Sequence, residues 1–215
     1  MKLGVLISGR GSNLKALIDA CARDDYPAEV VSVVSNKPDA PGLAYARNAD
    51  IPAKVINHQD FARRETFEAA VDETFADAGV DLVCNAGFMR ILTDSFVDKW
   101  RDRLINIHPS LLPAFKGLHV HERVIEAGAR ISGCTVHFVR TEMDEGPIIA
   151  QAAVPVMADD TPETLSKRVL AVEHKVYPAA VRLIAEGKVR ISHERVILRI
   201  GGETESSAMF VPPLP

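Results

Sequence analysis

Short apolar runs alternate with longer amphipathic segments over the first hundred residues. Lys2 to Ser8 is a compact run rich in branched side chains and predicts a buried strand, while Leu14 to Ala22 repeats apolar residues at helical spacing. The same alternation predicts further strands at Glu29 to Ser35, Lys54 to Ile56, Val80 to Asn85 and Leu104 to His108, and further helices at Gly42 to Asn48, Arg63 to Ala78 and Thr93 to Trp100. This order is typical of parallel strands joined by right-handed crossovers.

The pattern changes after Pro113, where strand-like stretches follow one another without a helix between them. Thr161 and Pro162 later provide the cap and the first residue of a long helix. The predicted elements are an antiparallel pair at Ala129 to Arg140 and Gly146 to Val156, a helix from Thr161 to about Glu186, and a hairpin at Val189 to Ser192 and Arg195 to Leu198. The fold class that follows is α/β: a doubly wound, mostly parallel sheet with helices on both faces and an antiparallel C-terminal extension.

Composition narrows the class of protein. The 215 residues are 47% hydrophobic and 25% charged, as in a soluble globular domain, and the net charge of −4 argues against a nucleic-acid binder, which needs a basic face. No apolar run approaches the roughly 18 residues of a membrane span, and the run at Leu3 to Ile7 is too short for an export signal. Cys21, Cys84 and Cys134 are widely spaced and odd in number, which predicts reduced, buried thiols in a cytoplasmic protein.

A glycine-containing corner, Gly9-Arg10-Gly11-Ser12-Asn13, lies between the first predicted strand and helix. Glycines permit a sharp turn, and the N–H groups that open a helix carry partial positive charge, so the corner suits a phosphate. Leu14 stands where the dinucleotide fingerprint needs a third glycine, and the lysine of a Walker loop is missing, so a single phosphate fits better than NAD or ATP. In the alternative interpretation the glycines serve only the turn and Asn13 caps the helix. The corner by itself supports both interpretations about equally.

Polar side chains end the fifth predicted strand. Asn106 and His108 are two residues apart and project from one face, at the carboxyl edge where ligands bind in open α/β sheets. An amide N–H beside an imidazolium can stabilise an oxygen that gains negative charge. Histidine and asparagine satisfied only by backbone groups are the less favoured alternative, because buried parallel strands are nearly all apolar. Asp144 would orient and charge His108 if the fold brought it close; otherwise it belongs to a solvated acidic turn.

Four segments carry a resemblance to a known family. They are Ile7-Ser-Gly-Arg-Gly-Ser-Asn-Leu14, Ala86-Gly-Phe-Met-Arg-Ile-Leu92, Asn106-Ile-His-Pro-Ser-Leu-Leu-Pro113 and Asp144-Glu-Gly-Pro-Ile-Ile149. In order and spacing, from about residue 2 to residue 190, the chain resembles the folate-dependent formyltransferases, and within them the branch that formylates glycinamide ribonucleotide in purine synthesis. The resemblance implies 10-formyltetrahydrofolate as co-substrate, direct attack by the substrate amine, no protein nucleophile and no metal.

The resemblance also implies roles for individual residues. Asn106, His108 and Asp144 match the catalytic trio. The other implied contacts are those of Gly11, Ser12, Asn13 and Glu173 with the ribonucleotide, and those of Arg64, Met89, Arg90, Ile91, Leu92 and Asn106 with the folate. Without the resemblance, the apolar members of the folate set would be assigned to the core and Arg64 to a helix surface. Leu170 departs from the family, in which a polar side chain is frequent at this position, so no ribonucleotide contact is carried over to it.

We expect one formyltransferase domain over residues 1–200, with a phosphate-binding half at 1–100, a folate and catalytic half at 101–200, and a flexible tail at 201–215. Two relatives share the Asn-x-His strand end but carry further domains: methionyl-tRNA formyltransferase at the C-terminal side and formyltetrahydrofolate hydrolase at the N-terminal side. A length of 215 residues favours the glycinamide ribonucleotide branch over both. We expect small-molecule substrates, no nucleic-acid or membrane partner, and a monomer or homodimer.

Two alternatives concern chemistry. A binding or sensor module could keep the sheet and the glycine corner without catalysis, but such a module has no reason to keep Asn106, His108 and Asp144 together. Histidine can bind metal ions, and the chain has His119, His121 and His137 in this region. No cysteine or glutamate, however, stands at the spacing of a metal ligand. Structural histidines near the site are therefore the preferred interpretation. We therefore predict an enzyme without a metal centre.

Overall fold

The computed structural model describes residues 1–199 and residue 211, so the tail expected at 201–215 lies outside the described residues apart from Val211. The strands are β1 (Lys2–Ile7), β2 (Glu29–Ser35), β3 (Ala53–Val55), β4 (Leu82–Asn85), β5 (Leu104–His108), β6 (Ile131–Phe138), β7 (Ile148–Pro155), β8 (Val189–Ser192) and β9 (Arg195–Leu198). The helices are α1 (Ser12–Cys21), α2 (Leu43–Asn48), α3 (Arg64–Asp77), α4 (Asp94–Lys99), α5 (Val120–Glu126) and α6 (Pro162–Ala185). A 3₁₀ turn covers His58–Asp60.

Seven strands form one sheet in the order β3-β2-β1-β4-β5-β6-β7. Strands β1 to β5 pair in parallel, β6 and β7 pair antiparallel, and β8 and β9 form a separate hairpin. The predicted fold class is confirmed, including the antiparallel extension. The strand order reverses between β1 and β4, and such a switch point opens a crevice at the carboxyl ends of the strands.

Helices cover both faces of the sheet, which explains why its central strands are almost continuously apolar. On one face, Leu17 of α1 and Tyr177 of α6 belong to the larger apolar cluster. On the other face, Phe75 of α3 and Trp100 pack edge to face in a second cluster. The two cores hold the strands between rigid layers, so the loops at the carboxyl edge begin from fixed positions.

Two helix starts match their sequence signals. The Thr93 hydroxyl accepts the Phe96 N–H at the start of α4. Thr161 caps α6 through a reciprocal capping box with Thr164, and Pro162 is the first residue of the helix. Side-chain caps of this kind satisfy backbone donors that the helix itself leaves unpaired, so the predicted starts of both helices are confirmed.

Two details differ from the sequence prediction. Helix α5 is missing from it because only Val120 and Val124 bury apolar side chains on seven residues, too few to establish a period. Cys84 and Cys134 are buried as expected, but Cys21 is half-buried because it ends α1 near the surface. Burial still raises the pKa of the Cys21 thiol to about 11. No helix in the described part of the chain is both long enough and apolar enough to cross a membrane.

Candidate active site

The candidate residues gather at the carboxyl edge of the sheet. Strand β1 leads into the glycine corner that begins α1, and β4 leads into residues 86–93, which we call the 86–93 loop. Strand β5, next to β4, ends in Asn106 and His108. The switch-point crevice therefore has the glycine corner and the 86–93 loop beside the polar end of β5.

Asn106 is half-buried and lies opposite His137 in the β5–β6 pair. His137 Nδ1 donates to the Phe138 carbonyl oxygen over 3.0 Å, so Nε2 is the acceptor, 3.5 Å from Asn106 Nδ2. Burial lowers the pKa of His137, which keeps this lone pair available. The contact turns the amide nitrogen toward β6 and fixes the orientation of the Asn106 side chain.

His108 is only 5% exposed, and both ring nitrogens face protein oxygens. Nε2 lies 3.0 Å from the Phe115 carbonyl oxygen, and Nδ1 lies 3.4 Å from Asp144 Oδ2. A carbonyl oxygen can only accept, so Nε2 carries a proton, while Nδ1 faces the carboxylate of Asp144. The structure thus brings Asp144 to His108 from 36 positions away. An N–H of His108 reaches a substrate oxygen only by exchanging one of these two contacts.

Asp144 lies in the turn of residues 141–146, between β6 and β7, with a left-handed φ of 52°. Its Oδ2 also accepts the Gly117 N–H over 2.7 Å. One carboxylate oxygen therefore joins the loop after β5 to the imidazole of His108. Asp144 also lines a cavity of about 290 Å³, together with residues that include Leu112 and Gly146.

The glycine corner has a tight backbone. Gly11 precedes α1 with a φ of 71°, and a Cβ atom there would lie 2.5 Å from the Cα of Gly42. Asn13 does not cap α1: its Nδ2 donates to Glu173 Oε2 over 2.7 Å, so the capping interpretation is wrong. Burial raises the pKa of Glu173, against the opposing effects of Asn13 and Arg10. The free N–H groups of the first turn of α1 thus lie beside a buried carboxyl group.

The 86–93 loop is fixed at both ends and apolar on its outside. Ser8 Oγ accepts the Met89 N–H over 2.8 Å, and the buried carboxylate of Glu68 accepts the N–H and hydroxyl of Thr93. Met89 and Ile91 are 65% and 63% exposed. The loop therefore exposes apolar side chains on a backbone that is held by hydrogen bonds, and exposed apolar surface commonly marks a binding site.

The remaining candidates are more dispersed. Arg90 and Leu92 are half-buried in the same loop, and Leu170 is half-buried on α6. Arg64 is exposed at the first position of α3. The structure brings together Asn106, His108 and Asp144, and separately Asn13 and Glu173, whereas Arg64 makes no ion pair with the residues that the structure describes.

Sequence reasoning missed Asn85, Ser8 and Glu68. Asn85 is 7% exposed at the end of β4, in register with Asn106, and its Oδ1 has no hydrogen-bond partner within residues 1–199 and 211. The sequence pattern does indicate Asn85, because this asparagine ends a strand that is otherwise Leu-Val-Cys, just as polar residues interrupt β5. Ser8 and Glu68 gave no such signal, since the residues that they hold are 81 and 25 positions away.

The described residues include no group of three or more histidine, cysteine or acidic side chains placed to hold a metal ion. His119 has one acidic neighbour, Glu122, at 3.9 Å, and burial lowers the pKa of His121. A larger groove, of about 570 Å³, lies at the amino edge of the sheet and is lined by residues that include Lys2 and Glu29. It contains none of the candidate residues, so this groove and the candidate residues lie at opposite edges of the sheet.

Comparison with known proteins agrees with this geometry. A phosphoribosylglycinamide formyltransferase from Escherichia coli is 44% identical over 194 residues, which are 90% of this chain and 91% of that protein. The trifunctional purine biosynthetic protein adenosine-3 of Gallus gallus is 52% identical over 89% of this chain, which spans about a fifth (19%) of that longer protein. A crystal structure of glycinamide ribonucleotide transformylase 1 from Symbiobacterium toebii superposes with a TM-score of 0.90 at 47% identity, covering 92% of this chain and 93% of that one. Residues 1–181 match the sequence model described as formyl transferase, and the chain therefore belongs to the formyl transferase family.

Proposed function

We propose that this chain transfers the formyl group of 10-formyltetrahydrofolate to the amine of N1-(5-phosphoribosyl)glycinamide, giving formylglycinamide ribonucleotide for purine synthesis. The observation that carries the proposal is the convergence of Asn106, His108 and Asp144 at the switch point of a formyl transferase chain. Binding alone gives no reason for an amide, an imidazole and a carboxylate to meet at one sheet edge. The names of the near-full-length relatives support the same substrate pair.

The glycine corner is the part of the crevice that we assign to the ribonucleotide. The backbone N–H groups of Gly11, Ser12 and Asn13 open α1, where a phosphate gains both hydrogen bonds and the favourable end of the helix dipole. Glu173 stands beside them on α6, held by Asn13. Its carboxyl oxygens are acceptors for hydroxyl groups of the ribose. This arrangement fixes one end of the substrate and points the other toward β5.

The 86–93 loop is the part that we assign to the folate. A flat heteroaromatic ring suits the exposed apolar side chains of Met89 and Ile91, while Arg90 and Leu92 lie half-buried in the same loop. Arg64 is an exposed cation that suits the anionic glutamate tail. The two anchors bring amine and formyl carbon together, and such approximation is worth roughly 7–11 kcal/mol in well-oriented model reactions.

The chemical step needs a donor for an oxygen that becomes negative. When the amine attacks, a C–N bond forms and the formyl oxygen gains charge until the bond to the folate nitrogen breaks. Asn106 Nδ2 has a second N–H beyond the one facing His137, and this N–H donates to the oxygen. His108 donates to the same oxygen after it exchanges the Phe115 carbonyl for substrate.

Asp144 assists the transfer of a proton from the substrate amine to the folate nitrogen. Its carboxylate beside Nδ1 holds the imidazole of His108 in orientation, and it orders the water that takes the proton from the ammonium formed when the amine attacks. That proton ends on the folate nitrogen, which leaves as tetrahydrofolate. Because the amine itself is the nucleophile, the step uses neither a protein nucleophile nor a metal ion.

The test is turnover by the purified chain with both substrates, followed by the absorbance of deformylated folate. Replacement of one oxyanion donor costs about 3–4 kcal/mol, so Asn106→Ala should lower kcat at least about a hundredfold. Asn48→Ala, on the exposed end of α2, is the matched control and should retain wild-type turnover. Wild-type protein that binds both ligands without transferring the formyl group would reject the enzyme and favour a binding module.

A further inference from the structure

Arg140 follows β6 and begins the turn that carries Asp144. Its buried guanidinium is bonded on every side: Nε donates to Glu194 Oε2 over 2.6 Å and Nη2 to Asp102 Oδ1 over 2.7 Å. Nη1 donates to the Val139 carbonyl oxygen over 3.0 Å. Two half-exposed carboxylates thus hold the buried guanidinium of Arg140 at the base of the turn, and charge-assisted hydrogen bonds of this kind fix the orientation of the arginine side chain.

The two carboxylates come from distant parts of the chain. Glu194 stands at the tip of the β8–β9 hairpin, where both His193 and Glu194 have left-handed φ angles of 50° and 55°. Asp102, with a φ of 60°, lies in the turn that leads into β5, the strand of Asn106 and His108. Arg140 therefore ties the hairpin tip to the entry of the catalytic strand.

The far end of the same turn rests on Arg140. A Cβ atom at Gly146 would lie 3.1 Å from Arg140 Cγ and 2.1 Å from the Phe138 carbonyl oxygen. The turn thus starts at Arg140 and returns onto its aliphatic stem. Asp144 lies between these two fixed points, and from there its carboxylate reaches Gly117 and His108.

We infer that Arg140 is a positioning residue for Asp144, and that the β8–β9 hairpin braces the catalytic turn through Glu194. The kinetic part of this inference rests on the proposed function. The hairpin has a separate attachment to the body, because Val189, Ile191 and Val196 pack against the larger apolar core. Removal of the Glu194 charge therefore weakens the contacts of Glu194 with Arg140 and Arg101 without releasing the hairpin, and leaves Arg140 held by Asp102 and the Val139 carbonyl.

The Gly117 amide gives a readout that needs no substrate, since its N–H donates to Asp144. In ¹H–¹⁵N spectra, Glu194→Gln should move the Gly117 resonance toward its position in Asp144→Asn. The matched control, Asp25→Asn, removes the carboxylate of an exposed ion pair with Arg182 and should leave the resonance in place. A Gly117 resonance unchanged by Glu194→Gln overturns the inference.

Kinetics supply the second arm. A displaced catalytic group lowers kcat more than binding, so Glu194→Gln should reduce kcat about tenfold and change KM for both substrates less than about twofold. In the Asp144→Asn background the same substitution should cost less than about twofold, because groups acting through one another are not additive. Equal losses in both backgrounds overturn the inference. If the wild-type protein has no transferase activity, the proposed function is rejected. The Gly117 resonance still tests whether Glu194 and Arg140 position Asp144.

Discussion

Two buried asparagines near the sheet edge differ in what surrounds their amides. Asn36 accepts the Ser8 hydroxyl over 2.6 Å, and its Nδ2 lies 3.2 Å from His58 Nδ1. Asn85 has an Oδ1 atom without a partner in the described part of the chain. A buried polar group left unpaired costs about 1–3 kcal/mol of stability. Removal of a paired polar group instead leaves its partners without a hydrogen bond. The same substitution should therefore have opposite effects at these positions.

We expect Asn85→Leu to raise the free energy of unfolding by about 1–2 kcal/mol and Asn36→Leu to lower it by at least as much. Urea unfolding of both variants, followed by circular dichroism, measures the two changes. Destabilisation by Asn85→Leu similar to that of Asn36→Leu would mean that the Asn85 amide is satisfied in the folded protein.

Individual site residues were predictable only where they break a local pattern. Asn106 and His108 interrupt a strand that should be apolar, and this anomaly follows from a few neighbouring residues. Asp144 and Glu173 are acidic residues in a turn and on a helix, where such residues are ordinary. The local pattern left the role of Asp144 open, and only the family resemblance singled out Glu173. Their partners are contributed by distant strands and helices, so no short pattern can indicate the contact.

At the scale of elements, the 86–93 loop depends on a hydroxyl at the end of β1. Ser8→Ala removes the acceptor of the Met89 N–H and the donor to Asn36. Since the loss of a tether loosens a binding loop, we expect KM for the folate to rise about five- to tenfold, the equivalent of one hydrogen bond, while KM for the ribonucleotide stays constant. Steady-state kinetics with each substrate varied in turn will measure this.

The control for Ser8 is Ser132→Ala, at another buried serine, on β6, whose hydroxyl has no partner among the residues described. This variant should leave both KM values unchanged. A proportional rise in both KM values for Ser8→Ala would indicate general distortion of the sheet edge rather than release of the loop.

The start of α6 depends on another buried carboxylate. The side chain of Asp160 is 3% exposed and receives a bidentate contact from Arg168, with N···O distances of 2.6 and 2.9 Å. The hydrogen bonds from Arg168 hold the pKa of Asp160 well below its ordinary value of 3.8. A lowered carboxyl pKa stabilises the folded state above the ordinary value, and this contribution is lost as the pH falls below it.

Asp160→Asn should therefore lower the free energy of unfolding by about 2 kcal/mol at neutral pH, in line with hydrogen bonds to charged groups. The difference from wild type should shrink as the pH falls below 3.8. Asp159→Asn, at the exposed neighbour, is the control. Thermal melts over a pH series provide the test, and a difference that stays constant into acid would contradict the assigned pairing.

Elements were predicted more completely than site contacts because the determinants of each element are local. Strands β2, β5, β8 and β9 have the predicted bounds, and the remaining strands of the sheet differ by a few residues at their ends. Helix α5 was missed for the opposite reason. Its position depends on the loop after β5 and on packing against the core rather than on seven residues of pattern.

At the scale of the whole molecule, Asn13 and Glu173 join α1 near the start of the chain to α6, 160 residues later. Burial raises the pKa of Glu173, so the folded state holds its proton to higher pH than the unfolded chain does. The folded state is therefore most stable while Glu173 is protonated in both the folded and the unfolded chain. Its stability falls as the pH rises through the folded pKa of Glu173.

Glu173→Gln should consequently raise the melting temperature at neutral pH and have little effect below the ordinary pKa of 4.5. It should also weaken ribonucleotide binding and raise KM for that substrate several-fold, because a carboxylate is the stronger acceptor. Calorimetry across the pH range and kinetics at neutral pH measure both changes. Glu163→Gln, exposed in the first turn of α6, is the control. A lower melting temperature for Glu173→Gln at neutral pH would contradict the prediction.

The close approach of Gly11 and Gly42 separates two kinds of constraint in the glycine corner. A Cβ atom on either residue would lie within 3 Å of the other's Cα, at 2.5 and 2.8 Å. Neither glycine can therefore be replaced alone, whatever the protein binds. Glycine at 11 and 42 is required because the backbones at the starts of α1 and α2 are in direct contact. Ser12 and Asn13 lie outside this constraint, and the side chain of Asn13 instead contacts Glu173 of α6. A sequence that kept both glycines but replaced Asn13 would retain the two interlocked helix starts and lose the hydrogen bond from α1 to Glu173.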